Sequence, residues 1–194
     1  MGPDDVDGAK LASLARYARA RIRESLGGAK AAEPTGPWTA EPAATFVTLR
    51  RGDELQGCVG TLERQRPIAQ DVSQNAIAAA FYDRRGGRLE LSDVDRLTVE
   101  ISVLSRAEPL AFSNEDEALA SLRPGEDGVL LKWHDRRATF LPQVWESLPD
   151  RADFLARLKE KAGLSADFWA PDVELSRYRV RKFVDAPAAA GSPA

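Results

Sequence analysis

Cysteine, histidine and methionine are each present only once in this chain of 194 residues. A single cysteine excludes an internal disulfide and a multi-cysteine zinc site, so neither device holds the fold, and a reducing compartment fits. One His and one Cys among scattered carboxylates offer no metal-ligand spacing, so no metal and no cofactor are expected. Long hydrophobic runs are missing too: nothing approaches the roughly 18 apolar residues that span a bilayer. The start, Met1-Gly2-Pro3-Asp4-Asp5, is acidic where a secretory leader is basic and then apolar. A cytoplasmic protein without membrane association is the expectation. The basic excess of a nucleic-acid binder is also lacking, with a net charge of −3 and a pI near 5.4. No glycine-rich loop follows a strand and opens a helix, which argues against a nucleotide site.

What is present is 43% hydrophobic and 29% charged residues, the balance of one soluble globular domain or two small lobes sharing a core. Residues 1–9 read as a flexible N-terminus. From Asp7 to Leu26, Leu11, Leu14, Ala15, Ala18, Ile22 and Leu26 recur at helical spacing, with Lys10, Arg16, Arg19, Arg21 and Arg23 on a solvated face. Residues 29–44, with Pro34, Pro37 and Pro42, read as an extended connector pinned by Trp38. Phe46 to Arg50 and Leu55 to Thr61 form a hairpin through the turn at 51–54. Pro67 opens an alanine-rich helix to Phe81, and 82–91 is a loop. Strict alternation makes 97–104 a strand with one buried face. A short helix at 115–122, a hairpin of 129–133 and 136–141 turning at His134-Asp135, a helix at 153–162 and one strand over 173–183 complete the pattern. The tail 185–194, rich in Ala, Pro, Gly and Ser, reads as disordered. Hairpins with interspersed helices predict an α+β fold, mainly antiparallel sheet with flanking helices.

The stretch Leu55-Gln56-Gly57-Cys58-Val59-Gly60-Thr61 sets the one cysteine between glycines, which let backbone or ligand approach where a Cβ would obstruct. Cys58 is a nucleophile if a cation, base or helix end stabilises its thiolate, and a small core residue otherwise. The following helix begins only a few residues later, so its positive end is expected near Cys58. His134 sits in a turn, where a histidine is ordinarily solvated, rather than where it would pair with Cys58. Asp83 and Glu100 are acid-base or cation-binding carboxylates, or else simply solvated or ion-paired ones. Trp133, Trp145 and Trp169 with Phe140, Phe154 and Phe168 read as core, and any one left exposed marks an interaction surface.

Gln56-Gly57-Cys58-Val59-Gly60 resembles the Leu-Arg-Gly-Cys-Ile-Gly signature of the AMMECR-type domain family, in particular its AmmeMemoRadiSam system protein A members. The likeness extends over about residues 10–183 through Phe46-Val47-Thr48-Leu49, Asp71 with 75–81, 100–105, Pro124-Gly125-Glu126-Asp127-Gly128 and Thr139 to Trp145. It implies a single two-lobed domain over 10–184, the larger lobe holding both chain ends and the smaller one the middle. It further implies a cleft at the cysteine motif, and a Memo-like protein and a radical SAM protein as partners. The family's activity is unsettled, and the resemblance names no reaction. By this resemblance Cys58 is the catalytic candidate on a small organic substrate. Gln56, Gly57, Gly60, Asp83, Arg85 and Glu100 are the substrate-binding candidates, and the alternative is a non-catalytic binding or scaffold role for those partners. The chain departs from the family at Gln56, which replaces an arginine and its bidentate fork, and at Asp83-Arg84-Arg85-Gly86, which stands where the family has Asp-Pro-Arg-Phe. The second departure predicts a looser cleft.

Overall fold

Leu97, Val99, Ile101 and Val103 alternate with polar neighbours. In the computed structural model, which describes residues 6–187, they line the buried face of β4 (Leu97–Leu104). This strand pairs antiparallel with β1 (Pro42–Arg51), which pairs antiparallel with β2 (Glu54–Gly60). β9 (Val180–Asp185) lies on the other side of β4, so the order is β2-β1-β4-β9, with the two-residue β3 (Arg66–Pro67) beside the start of β1. Two helices, α1 (Gly8–Ser25) and α2 (Ile68–Phe81), bury their apolar stripes against one face, Leu14, Ile22, Val72 and Ala76 joining Val47, Leu49, Val99 and Ile101. Alanine at 76, 79 and 80 of α2 leaves little side chain between helix and sheet. Together, the described residues up to Leu104 and those described from Arg181 onward form one compact unit, and Ser105–Val180 form the other.

One buried carboxylate joins three elements of the first unit. Asp71 Oδ2 accepts from the Thr45 N–H (3.0 Å), the Thr45 hydroxyl (2.6 Å), the Thr61 hydroxyl (2.7 Å) and the Asn75 amide (3.1 Å). Its Oδ1 takes Nε and a terminal nitrogen of Arg66 at 3.0 and 2.6 Å. A charge taken out of water must be paired and hydrogen-bonded, and here both oxygens are.

In the second unit, β5 (Glu108–Pro109), β6 (Gly128–Trp133), β7 (Arg136–Phe140) and β8 (Glu174–Tyr178) form a sheet in the order β5-β8-β6-β7. The helices α3 (Glu115–Ser121) and α4 (Arg151–Lys161) pack with it, and Trp145 stacks on Phe154 at 3.6 Å. Lys159 is buried in this core and donates to Glu115 Oε1 at 2.5 Å and to the Ala166 carbonyl at 3.1 Å. Trp145 is buried, and Trp133 and Trp169 are partly buried against the same core, so none of the three is left exposed.

The fold is α+β with antiparallel pairing and flanking helices, and no helix among the described residues is long and apolar enough to cross a membrane. Several boundaries differ from the sequence pattern. Residues 6–9 are not a flexible end: Val6 is buried, the Asp7 side chain caps α1 by accepting from Lys10 N–H, and α1 starts at Gly8, while 1–5 lie outside the described residues. The expected disordered tail starts inside β9, because Asp185 accepts from Arg19, and 188–194 lie outside the described residues. Three arginines of the α1 face are tied down rather than solvated, while Arg16 is exposed: Arg19 holds Asp185 and the Val94 carbonyl, Arg21 holds Ser73 and Glu24, and Arg23 holds Asp95. Part of the connector becomes a 3-10 turn at Pro37–Ala40, and β1 starts at Pro42, four residues before the aromatic and β-branched run. The single strand expected over 173–183 is two, β8 and β9, which belong to different sheets.

Candidate functional site

Cys58 lies on the edge strand β2, opposite Thr48 of β1, which is in turn opposite Glu100 of β4. Gly57, one residue earlier, faces α2: a Cβ there would meet the Ala79 carbonyl oxygen at 2.0 Å. Because successive side chains alternate, Cys58 projects from the face turned away from the helices, where Thr48 and Glu100 also project. The Thr48 hydroxyl donates to the Cys58 sulfur at 3.2 Å, and the thiol is half-buried. Among the described residues no other side chain is hydrogen-bonded to that sulfur. With strands about 4.8 Å apart, Glu100 stands roughly 10 Å away on the same face. It pairs with Lys182 of β9 at 3.6 Å and accepts from the Ser102 hydroxyl at 3.5 Å.

The backbone of Cys58 turns away from β1 at this position, and a loop takes the place of a further strand. Its N–H donates to Asp83 Oδ2 at 2.9 Å, and its carbonyl accepts from an Arg85 terminal nitrogen at 3.2 Å. Arg85 also grips both Asp83 oxygens, at 3.0 and 2.6 Å. An edge strand carries unpaired backbone groups, and this two-residue clamp satisfies those of Cys58. The clamp holds the Asp83 carboxyl well below the ordinary value of 3.8, first through the Arg85 side chain, then through the N–H groups of Cys58 and Arg85. A depressed folded-state value means that the contribution to stability is complete above 3.8 and is lost only as pH falls through a value well below it. The Asp83 carboxyl carbon, followed by NMR, is therefore expected to stay ionised as pH passes down through 3.8, and to titrate closer to that value in Arg85→Gln. Titration of the unaltered protein at the ordinary value would contradict the clamp.

The other expected site residues take defined places. Gln56 is 4% exposed and lies inside the protein, its amide donating to the Gly87 carbonyl at 2.6 Å and accepting from Arg51 at 3.3 Å. It is the extra residue of a β-bulge, since Leu49 pairs with Gly57 and Arg50 with Leu55. Gly86 packs on it so closely that a Cβ would sit 1.8 Å from the Gln56 carbonyl oxygen. The two departures from the family pattern therefore touch one another. Gly60 lies opposite Phe46, whose ring occupies the space of a Cβ at 2.2 Å. His134 is in the second unit, in the β6–β7 turn at φ 51°, with Nε2 3.1 Å from Asp172.

The positive end of α2 does not lie at Cys58. After β2 the chain runs on to β3, beside the start of β1, and the helix begins there, the Ile68 N–H donating to the Glu41 carbonyl at 2.9 Å. It is the C-terminal turn, with Ala79 and the Asp83 that follows, that meets Gly57 and Cys58. Thr48 was not visible as a site residue in the sequence, and neither was Lys182. Both are found only through the strand register. Among the described residues no group of three or more His, Cys, Asp or Glu is placed to hold a metal ion.

Comparison with known proteins fits this architecture. A family model described as AMMECR1 matches residues 15–183. A protein of Thermofilum pendens is 32% identical over 193 residues, covering 90% of this chain and 89% of its own. Protein MJ0810 of Methanocaldococcus jannaschii is 33% identical over 177 residues, covering 87% and 86%. The crystal structure of the uncharacterized protein PH0010 from Pyrococcus horikoshii superposes with a TM-score of 0.76 at 31% identity, covering 90% of this chain and 91% of that one.

Proposed function

The chain belongs to the AMMECR1 family, and from that premise we propose that it is a cytoplasmic component of an AmmeMemoRadiSam group in which Cys58 acts on a small organic substrate. A Memo-like protein and a radical SAM protein are its partners in this reading. The observation that carries it is the hydrogen bond from the Thr48 hydroxyl to a half-buried thiol that the bulge at Gln56 turns away from the core. Such a donor stabilises negative charge on sulfur. Cys58 adds through sulfur to an electrophilic carbonyl carbon of the substrate. The carbonyl electron pair moves to oxygen, and the thiol proton finishes on that oxygen. Asp83 and Arg85 act as positioning residues by fixing the Cys58 backbone, and the Glu100–Lys182 pair offers both charges to polar groups of the substrate.

Iodoacetamide is expected to label native protein at Cys58, read by mass, and Thr48→Val is expected to slow that labelling several-fold without changing the melt. Cys58→Ala, folded, is expected to abolish product formation in the reconstituted group. No labelling until the protein unfolds, or full product from Cys58→Ala, ends this reading. A binding or scaffold role has one observation in its favour, the absence of a carboxylate or imidazole hydrogen-bonded to the sulfur among the described residues. That role predicts a complex with a partner protein that survives Cys58→Ser.

A further inference from the structure

Leaving α2 at Phe81, the chain turns through residues 82–90 with little regular structure, and beside the end of α1 this leaves a recess of about 590 Å³. Its lining includes Leu26, Phe81, Tyr82, Arg84, Arg88 and Leu89. The volume is that of a small-molecule site, typically about 300–1,000 Å³. It lies on the helix side of the sheet, whereas the Cys58 side chain projects from the other face.

Two features of the lining need an explanation. Tyr82 is 76% exposed and Phe81 37%, and Leu91, which is 42% exposed, approaches Gly28 just past the end of α1. These are three of the five large apolar side chains left exposed among the described residues, and two of them, Phe81 and Tyr82, stand side by side in the lining of the recess. Second, the guanidinium groups of Arg84 and Arg88 are exposed and have no hydrogen-bond or ion-pair partner among the described residues. Arg19, Arg21, Arg23, Arg66 and Arg85 of this unit are each paired with a carboxylate, and of its exposed arginines without one, Arg84 and Arg88 are the two that line the recess. The Asp83 carboxylate at the wall is already held by Arg85. The carbonyl ends of α1 and α2 contribute about half a negative charge each, which two whole guanidinium charges outweigh.

We propose that this recess binds a small oxyanion carried on a flat ring, with Tyr82 and Phe81 against the ring and Arg84 and Arg88 on the anion. Guanidinium forks match the paired oxygens of a carboxylate or phosphate, and an exposed aromatic face beside them adds stacking. The site is separate from the chemistry at Cys58 and stands whether or not Cys58 reacts.

Isothermal titration of the full chain with phenyl phosphate, and with benzoate in parallel for a carboxylate source, tests this against inorganic phosphate and phenol as half-ligands. Saturable binding of a ring-bearing anion about tenfold or more tighter than either half-ligand is expected. The double variant Arg84→Gln/Arg88→Gln should lose at least that factor with an unchanged melt, as both side chains are exposed. Tyr82→Ala should bring phenyl phosphate down toward inorganic phosphate. Absence of saturable binding, equal binding by the double variant, or inorganic phosphate binding as tightly as phenyl phosphate overturns the proposal.

Discussion

Asp71→Ala is expected to lower folding stability by about 3–5 kcal/mol, the range for breaking a buried ion pair from one side. In a chain of this length that is a fall in Tm on the order of 10 °C. The reason is the number of groups abandoned at once. Thr45 loses acceptors for both its N–H and its hydroxyl, Thr61 and Asn75 each lose one, and the Arg66 guanidinium loses both its bonds to the carboxylate. Water cannot easily replace the carboxylate, because Thr45, Asn75 and Asp71 itself are buried. Asp71→Asn keeps the shape but loses the charge that Arg66 faces and turns an amide toward donors, so an intermediate loss is expected. Chemical denaturation measures both, and a loss below about 1 kcal/mol for Asp71→Ala would show that these bonds are not the ones holding β1, β3 and α2 together.

Gly57→Ala is expected to destabilise by about 1–3 kcal/mol or more, although the substitution adds a single methyl group. The obstacle is backbone. The new Cβ would lie 2.0 Å from the Ala79 oxygen and 3.0 Å from the Asp83 Cβ, so the last turn of α2 must move as a whole. That movement pulls the Asp83 carboxylate from the Cys58 N–H, so iodoacetamide labelling of Cys58 should change along with stability. Gly87→Ala is the control: nothing lies within 4 Å of its Cβ, and the change should be neutral or slightly stabilising. Equal melts for the two variants would refute the close approach of α2 to β2.

How far the sequence could be read depended on whether the deciding contact was periodic. The apolar stripe of α1, the alternation of β4 and the alanine run of α2 are periodic, and the α+β fold follows from them. The orientation of Cys58 is not. A plain hairpin turning at Gly52-Asp53 would place Cys58 opposite Val47, on the buried face. The bulge at Gln56 shifts the register by one residue, and one residue in a strand exchanges the two faces. A bulge has no periodic signature, so Thr48 could not have been named as the partner of the thiol. The same holds for α2, whose positive end was expected at Cys58 from sequence distance alone. The two residues of β3 carry the chain to the far end of β1 before the helix starts. Likewise, Val173 to Phe183 reads as one strand, because an exchange of sheets at Arg179 needs no breaker residue.

The pairing of β9 with β4 has a consequence for how the protein is made. Everything the second sheet needs, from β5 to β8, is contained in one uninterrupted stretch of chain. The first sheet is different, since its final strand leaves the ribosome only after residues 105–180 have been added. At roughly 5–20 residues per second, the outer edge of β4 waits several seconds for its neighbour. During that time it is a row of unsatisfied backbone groups open to any extended segment nearby. In the nascent chain, the half that carries Cys58 is thus the later of the two to be sealed, although it is the earlier to be translated.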